Sequence, residues 1–447
     1  MPDTLMRTRE PDLAGLVDAD RVHRRVYTDP DVFDLEMERI WGKAWIYIGH
    51  ESQVPNTGDF YHTNLGKHAV LMVRQKDGSI AVLFNRCAHK GAQLVGEQTS
   101  GNVKQFRCGY HGWCFGLDGT FKGAPMFSDG YSDTRLNRDS ADMHMHQVPR
   151  YGQYRGFVFA SLDPAAPELA GWLGGVASTL DNMVDRSPEQ ALEATGGVMR
   201  YVHNSNWKFF VENLNDLMHS MVVHESASMT ARRFGKEIAG EEDTRPAAIQ
   251  ILEPFSNDYA FFDEMGLRAF DYGHGYSGGN TSIHAGYSEI PGYFAQLEET
   301  HGREKAKEIL SMSRHNTVVW PSMTLKGAVQ TLRVVKPLAV DKTLIESWTF
   351  RLKGAPEALL QRSIFYCNLI NSAFNLVGPD DEELYKRQQR GLATDGGDWV
   401  SLHRNLGDVK PEGQGYVARG TSDMAFRNMF RAWRHYMLGT PADEPLR

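Results

Sequence analysis

Two short stretches decide how this chain is read: Asn85-Arg86-Cys87-Ala88-His89-Lys90-Gly91 and Phe106-Arg107-Cys108-Gly109-Tyr110-His111-Gly112-Trp113. They hold one Cys-x-His pair and one Cys-x-x-His pair, each followed closely by glycine, with 18 residues between His89 and Cys108. Two thiolates and two imidazoles converging from two loops can hold a metal centre. Zinc is one candidate, but its two-cysteine, two-histidine modules usually keep the cysteines together and the histidines together. Here they alternate, one of each per loop. That suits a [2Fe–2S] cluster with both cysteines on one iron and both histidines on the other. A chance arrangement would have to place two of the chain's four cysteines in these slots.

Around these loops, residues 45–162 read as short strands and tight turns. Asp77-Gly78 separates residues 71–74 from 80–84, and Asp118-Gly119 separates 115–117 from Thr120-Phe121. Asp-Gly between apolar runs is a strong hairpin signal, so both ligand loops are expected at hairpin tips of a small all-β domain. His144 and His146 alternate on an expected strand and read as exposed polar positions rather than a third metal site. Upstream, residues 1–27 read as a polar, loosely held arm. Thr28-Asp29-Pro30 starts a helix, along which Phe33, Met37, Ile40, Trp41 and Ala44 recur at helical spacing. Downstream, Asp163-Pro164-Ala165-Ala166-Pro167 punctuates the chain. Strands are then expected at 198–203, 331–335 and 347–353, and a helix at 207–221. A last helix carries Ala425, Phe426, Met429, Phe430, Trp433 and Met437 on one face and closes at Gly439. Residues 255–320, rich in Gly, Tyr, Phe and Ser, read as long connections over a pocket. The expected division is an arm and helix over 1–44 packing on the catalytic domain, the β domain over 45–162, and an antiparallel sheet with helices over 163–447, an α+β chain.

The length of 447 residues suggests two or three domains. A net charge of −8 and a pI near 6.1 argue against a nucleic-acid partner. No apolar run approaches the roughly 18 residues that cross a bilayer, so no membrane partner is expected. Met1 to Asp12 lacks the apolar core of a signal peptide. Cys114 and Cys367 read as small buried hydrophobes rather than a disulfide pair, consistent with a reducing cytoplasm.

A second constellation lies in Asn206-Trp207-Lys208-Phe209-Phe210-Val211-Glu212-Asn213-Leu214-Asn215-Asp216-Leu217-Met218-His219-Ser220-Met221-Val222-Val223-His224. Asn204, Ser205 or Asn206 can cap a helix here. Asp216 and His219, three apart, share a helical face. His224, five beyond His219, does not, so a shared metal requires the helix to bulge or end between the two histidines. Alone, this pair reads more readily as two incidental histidines on a solvated, partly buried helix. An electron-carrying first domain on a chain this long needs an acceptor, and two histidines with one carboxylate form the facial triad of non-haem iron oxygenases.

These residues carry a resemblance over nearly the whole chain. The first two stretches resemble the Rieske motif, their spacing slightly longer than the commonest. Glu212-Asn213-x-x-Asp216-x-x-His219-x4-His224 is similar to the iron-binding motif of the Rieske non-haem iron ring-hydroxylating oxygenases, large (alpha) subunit. The resemblance implies that Cys87, His89, Cys108 and His111 hold the cluster and that His219 and His224 bind a catalytic iron. It implies that Asp216 bridges this site to the cluster of a neighbouring subunit, and that the catalytic domain has a helix-grip-like fold. Met218 departs from the tyrosine usual there. The third ligand is sought in Gly378-Pro379-Asp380-Asp381-Glu382-Glu383, where counting back from Gln389-Arg390-Gly391 favours Asp381 over Asp380. Proline followed by acids is also an ordinary first helical turn.

The implied activity is that of a terminal oxygenase. Electrons from NAD(P)H reach the cluster through a ferredoxin or flavin reductase, pass to Fe(II), and O2 hydroxylates an aromatic ring. The implied assembly is a trimer, alone or with small β subunits. Leu217, Met218, Met221 and Phe210 are candidate pocket residues, each read equally well as plain core. Arg333 matches a position that in some members meets a substrate carboxylate, although a strand arginine is more often an ion-pair residue. An aromatic acid is the preferred substrate class, with a neutral aromatic hydrocarbon second. Dioxygenation to a cis-dihydrodiol is expected, with monohydroxylation or demethylation as the alternative.

Overall fold

Gly78 and Gly119 both adopt φ +85°, a left-handed conformation that side chains disfavour. Each helps turn an antiparallel pair, His68–Arg74 with Ile80–Phe84 and Cys114–Phe115 with Phe121–Gly123. The computed structural model describes residues 11–131, 135–238, 245–284, 286 and 289–446. Trp41–Leu169 forms one compact unit; a second joins the segment up to Ile40 to the chain from Ala170 onward.

The first unit is built on three small sheets with antiparallel pairing. Only one ligand loop is a hairpin tip: residues 108–113 cap the pair Phe106–Arg107 and Cys114–Phe115. Residues 85–99 instead run from Ile80–Phe84, at one edge of a four-stranded sheet, to Ser100–Asn102 at the other. The expectation of two hairpin tips is corrected, because Ser100–Asn102 pairs with Asp59–Leu65 rather than with Ile80–Phe84. No strand carries His144 and His146. Met143 and Met145 enter the core, and His144 is half-buried, its Nδ1 accepting the Phe121 amide at 2.9 Å; His146 is exposed.

The second unit centres on a nine-stranded antiparallel sheet. In chain order its strands are β1 (Leu192–His203), β2 (Leu267–Ala269), β3 (Gly275–Ser277), β4 (Asn316–Val319), β5 (Met323–Lys326), β6 (Thr331–Ala339), β7 (Lys342–Leu352), β8 (Lys410–Glu412) and β9 (Gly415–Ala418). Their spatial order is β1-β7-β6-β5-β4-β3-β2-β9-β8. Thus 255–320 is not a set of connections: it supplies β2, β3 and β4, with helices at Tyr259–Met265, Tyr293–His301 and Arg303–Ser311. Residues 285, 287 and 288 of that stretch lie outside the described residues.

Five helices matter for the site: α1 (Pro30–Arg39), α2 (Trp207–Leu214), α3 (Glu357–Ile370), α4 (Gly378–Leu392) and α5 (Met424–Leu438). Asp29 caps α1 by accepting the Asp31 amide. This helix stops at Arg39, so Trp41 and Ala44, expected on it, fall in the first unit. The arm expected over 1–27 is not loose where it is described. Leu13, Leu16, Val22 and Tyr27 are buried, and Arg21–His23 pairs with Trp399–Ser401. Its first ten residues lie outside the described residues.

The register aligns one face of the sheet. Val318, Thr324, Arg333 and Ser347 are successive cross-strand partners, and Lys326 pairs with Thr331. Residues two apart on a strand share a face. Asn316, Lys326 and Arg333 therefore lie on one side, with Tyr201 and His203 joining them through β1 and β7.

Candidate active site

The two loops of the first unit share one backbone design. Gly91 N–H donates to Cys87 O and Gly112 N–H to Cys108 O, each at 3.0 Å; Cys87 N–H meets Ala92 O and Cys108 N–H meets Trp113 O, each at 2.8 Å. Both spacings place glycine four residues after cysteine, where φ is +77° and +70°. The amides of His89 and Lys90 face the Cys87 sulfur, and those of Tyr110 and His111 face Cys108. Burial pushes the Cys87 thiol up. At Cys108 burial also raises it, but the Tyr110 and His111 amides outweigh that and leave it lowered.

The His89 and His111 ring centroids are 4.7 Å apart. His89 stacks on Trp113 at 4.8 Å and 4°, and its Nδ1 is buried with no hydrogen-bond partner. Amide-cradled sulfurs beside an orphaned imidazole nitrogen fit a [2Fe–2S] cluster.

In the second unit α2 ends at Leu214, well short of the expected 221. Asn213, Asn215 and Asp216 favour turns, and Asp216 Oδ1 accepts the Met218 amide at 2.8 Å, competing with the helical pattern. Both histidines therefore follow the helix: His219 opens a short turn, Ser220–Val223, and His224 closes it. Asp381 enters from the first turn of α4.

Its Oδ1 lies 3.6 Å from His219 Nε2 and 3.3 Å from His224 Nε2, and ligand atoms of the three residues lie within 4.8 Å of one another. Asp380 reaches only the outer nitrogen, His224 Nδ1, at 3.4 Å. Asn213 Nδ2 sits 3.1 Å from both His219 Nε2 and Asp381 Oδ1. His219 Nδ1 is buried without a hydrogen bond and faces Asp216 Oδ2 at 3.7 Å. Burial raises the Asp381 carboxyl, but His224, His219 and Asn213 hold it below its ordinary range; Asp216 is likewise lowered by His219 against burial. An anionic carboxylate facing two inward imidazole nitrogens fits a divalent iron.

A cavity open to solvent at its mouth adjoins this trio. Phe210 and Arg333 line it, with the Arg333 guanidinium carbon 5.0 Å from the Phe210 ring centre. Leu217 and Met218, expected beside them, do not. The end of α2 turns Leu217 into a core with Phe262, Val329 and Tyr366, and leaves Met218 half-buried outside the cavity lining. Lining residues that the sequence reading passed over include Tyr201, His203, Asn213, His315, Asn316 and Lys326. Asn213 lay within the quoted motif; the others carry no sequence signal.

A cluster cradle and a two-histidine, one-carboxylate site on one chain define an oxygenase of the Rieske class. Residues 44–137 match the Rieske [2Fe–2S] domain, and residues 192–438 match the ring-hydroxylating alpha subunit catalytic domain. The chain is 30% identical over 425 residues to the toluate 1,2-dioxygenase alpha subunit of Pseudomonas putida, covering 88% of each chain. It is also 30% identical over 445 residues to a biphenyl dioxygenase alpha subunit of Paraburkholderia xenovorans (strain LB400), covering 95% of this chain and 93% of the relative. The solved naphthalene 1,2-dioxygenase from Rhodococcus sp., bound to indole, superposes with a TM-score of 0.75 at 26% identity, covering 95% of both chains. The chain belongs to the ring-hydroxylating dioxygenase alpha subunits. It is an oxidoreductase that works with a Rieske [2Fe–2S] cluster, a mononuclear iron and O2. Among the described residues, no helix is long and apolar enough to cross a membrane.

Proposed function

We propose that this enzyme adds both atoms of O2 to the ring of a small aromatic carboxylic acid, giving a cis-dihydrodiol. One observation carries the substrate class. Arg333 opens into the cavity beside His219, His224 and Asp381, with Asn316 Oδ1 at 3.4 Å and no carboxylate in ion-pair contact among the described residues. Relatives of equal identity are named for an acid and for a hydrocarbon, toluate and biphenyl. Descent leaves the choice to the pocket, and a guanidinium there without a carboxylate partner favours an acid, whose carboxylate it can bind through two parallel hydrogen bonds.

In this reading Cys87, His89, Cys108 and His111 hold the cluster. His219, His224 and Asp381 hold the iron, which supplies the centre where O2 is reduced. Arg333 binds the carboxylate and Phe210 lies against the ring, setting which edge faces the trio. Asp216 Oδ2, 3.7 Å from His219 Nδ1, favours the tautomer with its proton on that nitrogen, which leaves Nε2 toward Asp381. Burial lowers His203 to about 4, so this wall residue stays neutral and adds no competing charge.

Electrons come from NAD(P)H through a ferredoxin or flavin reductase. Asp216 keeps 29% of its side chain exposed, which suits a relay to the cluster of a neighbouring copy; the assembly in this reading is a trimer, alone or with small β subunits. The cytoplasm, reducing and stocked with NAD(P)H, is the fitting compartment. The test is turnover under oxygen-18 with a reductase and ferredoxin, offering benzoate-type acids and biphenyl. A dihydrodiol of the acid carrying two labelled oxygens is expected. One labelled oxygen, or turnover of biphenyl alone, would overturn the proposal.

A further inference from the structure

The cavity wall carries a second basic side chain. Lys326 ends β5, is 5% exposed, and shares its sheet face with Arg333 on the neighbouring strand β6. Its Nζ donates to the Tyr366 hydroxyl at 2.9 Å, and that oxygen lies 2.8 Å from His284 Nε2. No carboxylate among the described residues forms an ion pair with Lys326.

The contrast with Lys208 is informative. That lysine, fully buried, has Glu36 Oε1 at 2.7 Å. A buried ammonium without a counter-charge is costly, so the fold pairs one lysine and leaves the other facing a cavity. Burial, then Arg333, pushes the Lys326 ammonium well below the ordinary lysine range, and an anion seated against Nζ would favour its charged form. Asp381 is the nearby anion acting on Lys326, but it faces the two histidines and is committed to the metal set. Arg333 by itself matches one carboxylate, so a monoacid leaves Lys326 without an anion.

We propose that Lys326, assisted by Tyr366, is a second substrate anchor, so that the preferred substrate is an aromatic ring bearing two acidic groups, a carboxylate on Arg333 and a further acidic substituent on Lys326. This rests on the aromatic-acid reading above and narrows it. Lys326 acts as a specificity residue: it selects among acids and does not touch the reacting ring carbons.

The test is calorimetric binding to the intact oxygenase, loaded with cluster and iron. The ligands are benzoate, the three benzenedicarboxylates and 2-hydroxybenzoate. At least one doubly acidic ring is expected to bind tenfold or more tighter than benzoate, the order of one charge-assisted hydrogen bond. Identifying which one distinguishes a second carboxylate from a phenol. Lys326→Met should reduce that ratio at least tenfold, Lys326→Arg should restore most of it, and Tyr366→Phe should lower it severalfold. Visible spectra and iron content check that each variant is assembled. Benzoate binding as tightly as every doubly acidic ring, or a ratio unchanged in Lys326→Met, would overturn the inference while leaving the aromatic-acid reading in place. If none of the five acids binds, the aromatic-acid reading itself fails.

Discussion

Glu36 of α1 offers the sharpest stability test in the molecule. Its carboxylate is fully buried and accepts four contacts: Lys208 Nζ at 2.7 and 2.8 Å, Trp207 Nε1 at 2.9 Å and Trp433 Nε1 at 2.7 Å. It thereby joins α1 to α2 and α5. Glu36→Gln keeps acceptor capacity for the indoles but removes the charge opposite a buried ammonium. Breaking such a pair from one side costs about 3–5 kcal/mol, a large share of the 5–15 kcal/mol that typically holds a domain. Lys208→Met, which strands the carboxylate instead, should cost a similar amount. The double variant removes both charges, so it should recover at least about 2 kcal/mol relative to the sum of the singles.

Urea unfolding read by tryptophan fluorescence measures this directly, since Trp207 and Trp433 are themselves the donors. Visible absorption of the cluster follows the other unit separately. A Glu36→Gln variant within about 1 kcal/mol of wild type, or a double variant as unstable as the two singles added, would refute the reasoning.

Three further outcomes are expected. His219→Ala and Asp381→Ala should each lose the mononuclear iron yet keep two irons, acid-labile sulfide and red-brown colour; iron and sulfide assays decide, and loss of colour would count against separate sites. Arg333→Gln should raise KM for an aromatic acid roughly 30-fold or more, the effect of about 2 kcal/mol or more when one partner of a buried charge pair is truncated, with kcat changed far less. Burial pushes the Glu212 carboxyl, which accepts the Tyr27 hydroxyl at 2.8 Å, from 4.5 up to about 8. The folded state then holds a proton that the unfolded chain releases above pH 4.5, so this group's contribution falls as pH rises toward 8, by up to roughly 1.4 kcal/mol per pH unit. Glu212→Gln should therefore gain on wild type between pH 5.5 and 7.5 in parallel denaturation curves, and a difference independent of pH would count against it.

What the sequence made legible follows the range of the interactions. The cluster loops are readable because cysteine, histidine and the left-handed glycine all fall within five residues. Glycine four after each cysteine closes the same backbone turn twice. His219 and His224 are readable as a pair, but not their geometry. Continuing α2 to residue 221 put Leu217 and Met218 beside the ligands, whereas the Asn-rich turn at 213–216 ends the helix first. Lys326, Arg333, Asn316 and Tyr201 meet only through the register of β1, β7, β6, β5 and β4. No local pattern encodes that, and a lysine closing β5 reads as an ordinary strand end. The three-residue strands β2 and β3 are too short to display alternation, which is why 255–320 read as connections.

The same distance problem bears on how the iron site keeps its shape. Its ligands arrive from the loop after α2 and from the start of α4, about 160 residues apart in the chain. At the ligands, Asn213 of α2 donates to Asp381 of α4 at 3.1 Å, and a remote link ties the same two helices a second time. Asn206, the cap of α2, donates its side-chain amide to Tyr27 O at 3.1 Å, and Gln389 of α4 donates to the same oxygen at 3.2 Å. Gln389 Oε1 also accepts the Asn206 backbone N–H at 2.8 Å. One carbonyl from the N-terminal segment thus closes a three-way joint, and Glu36 and the Tyr27 hydroxyl fix two further points along α2. A misplacement of about 1 Å in such a site can cost on the order of a hundredfold in rate. The N-terminal segment, with no residue among the ligands, is therefore part of what holds the reacting geometry.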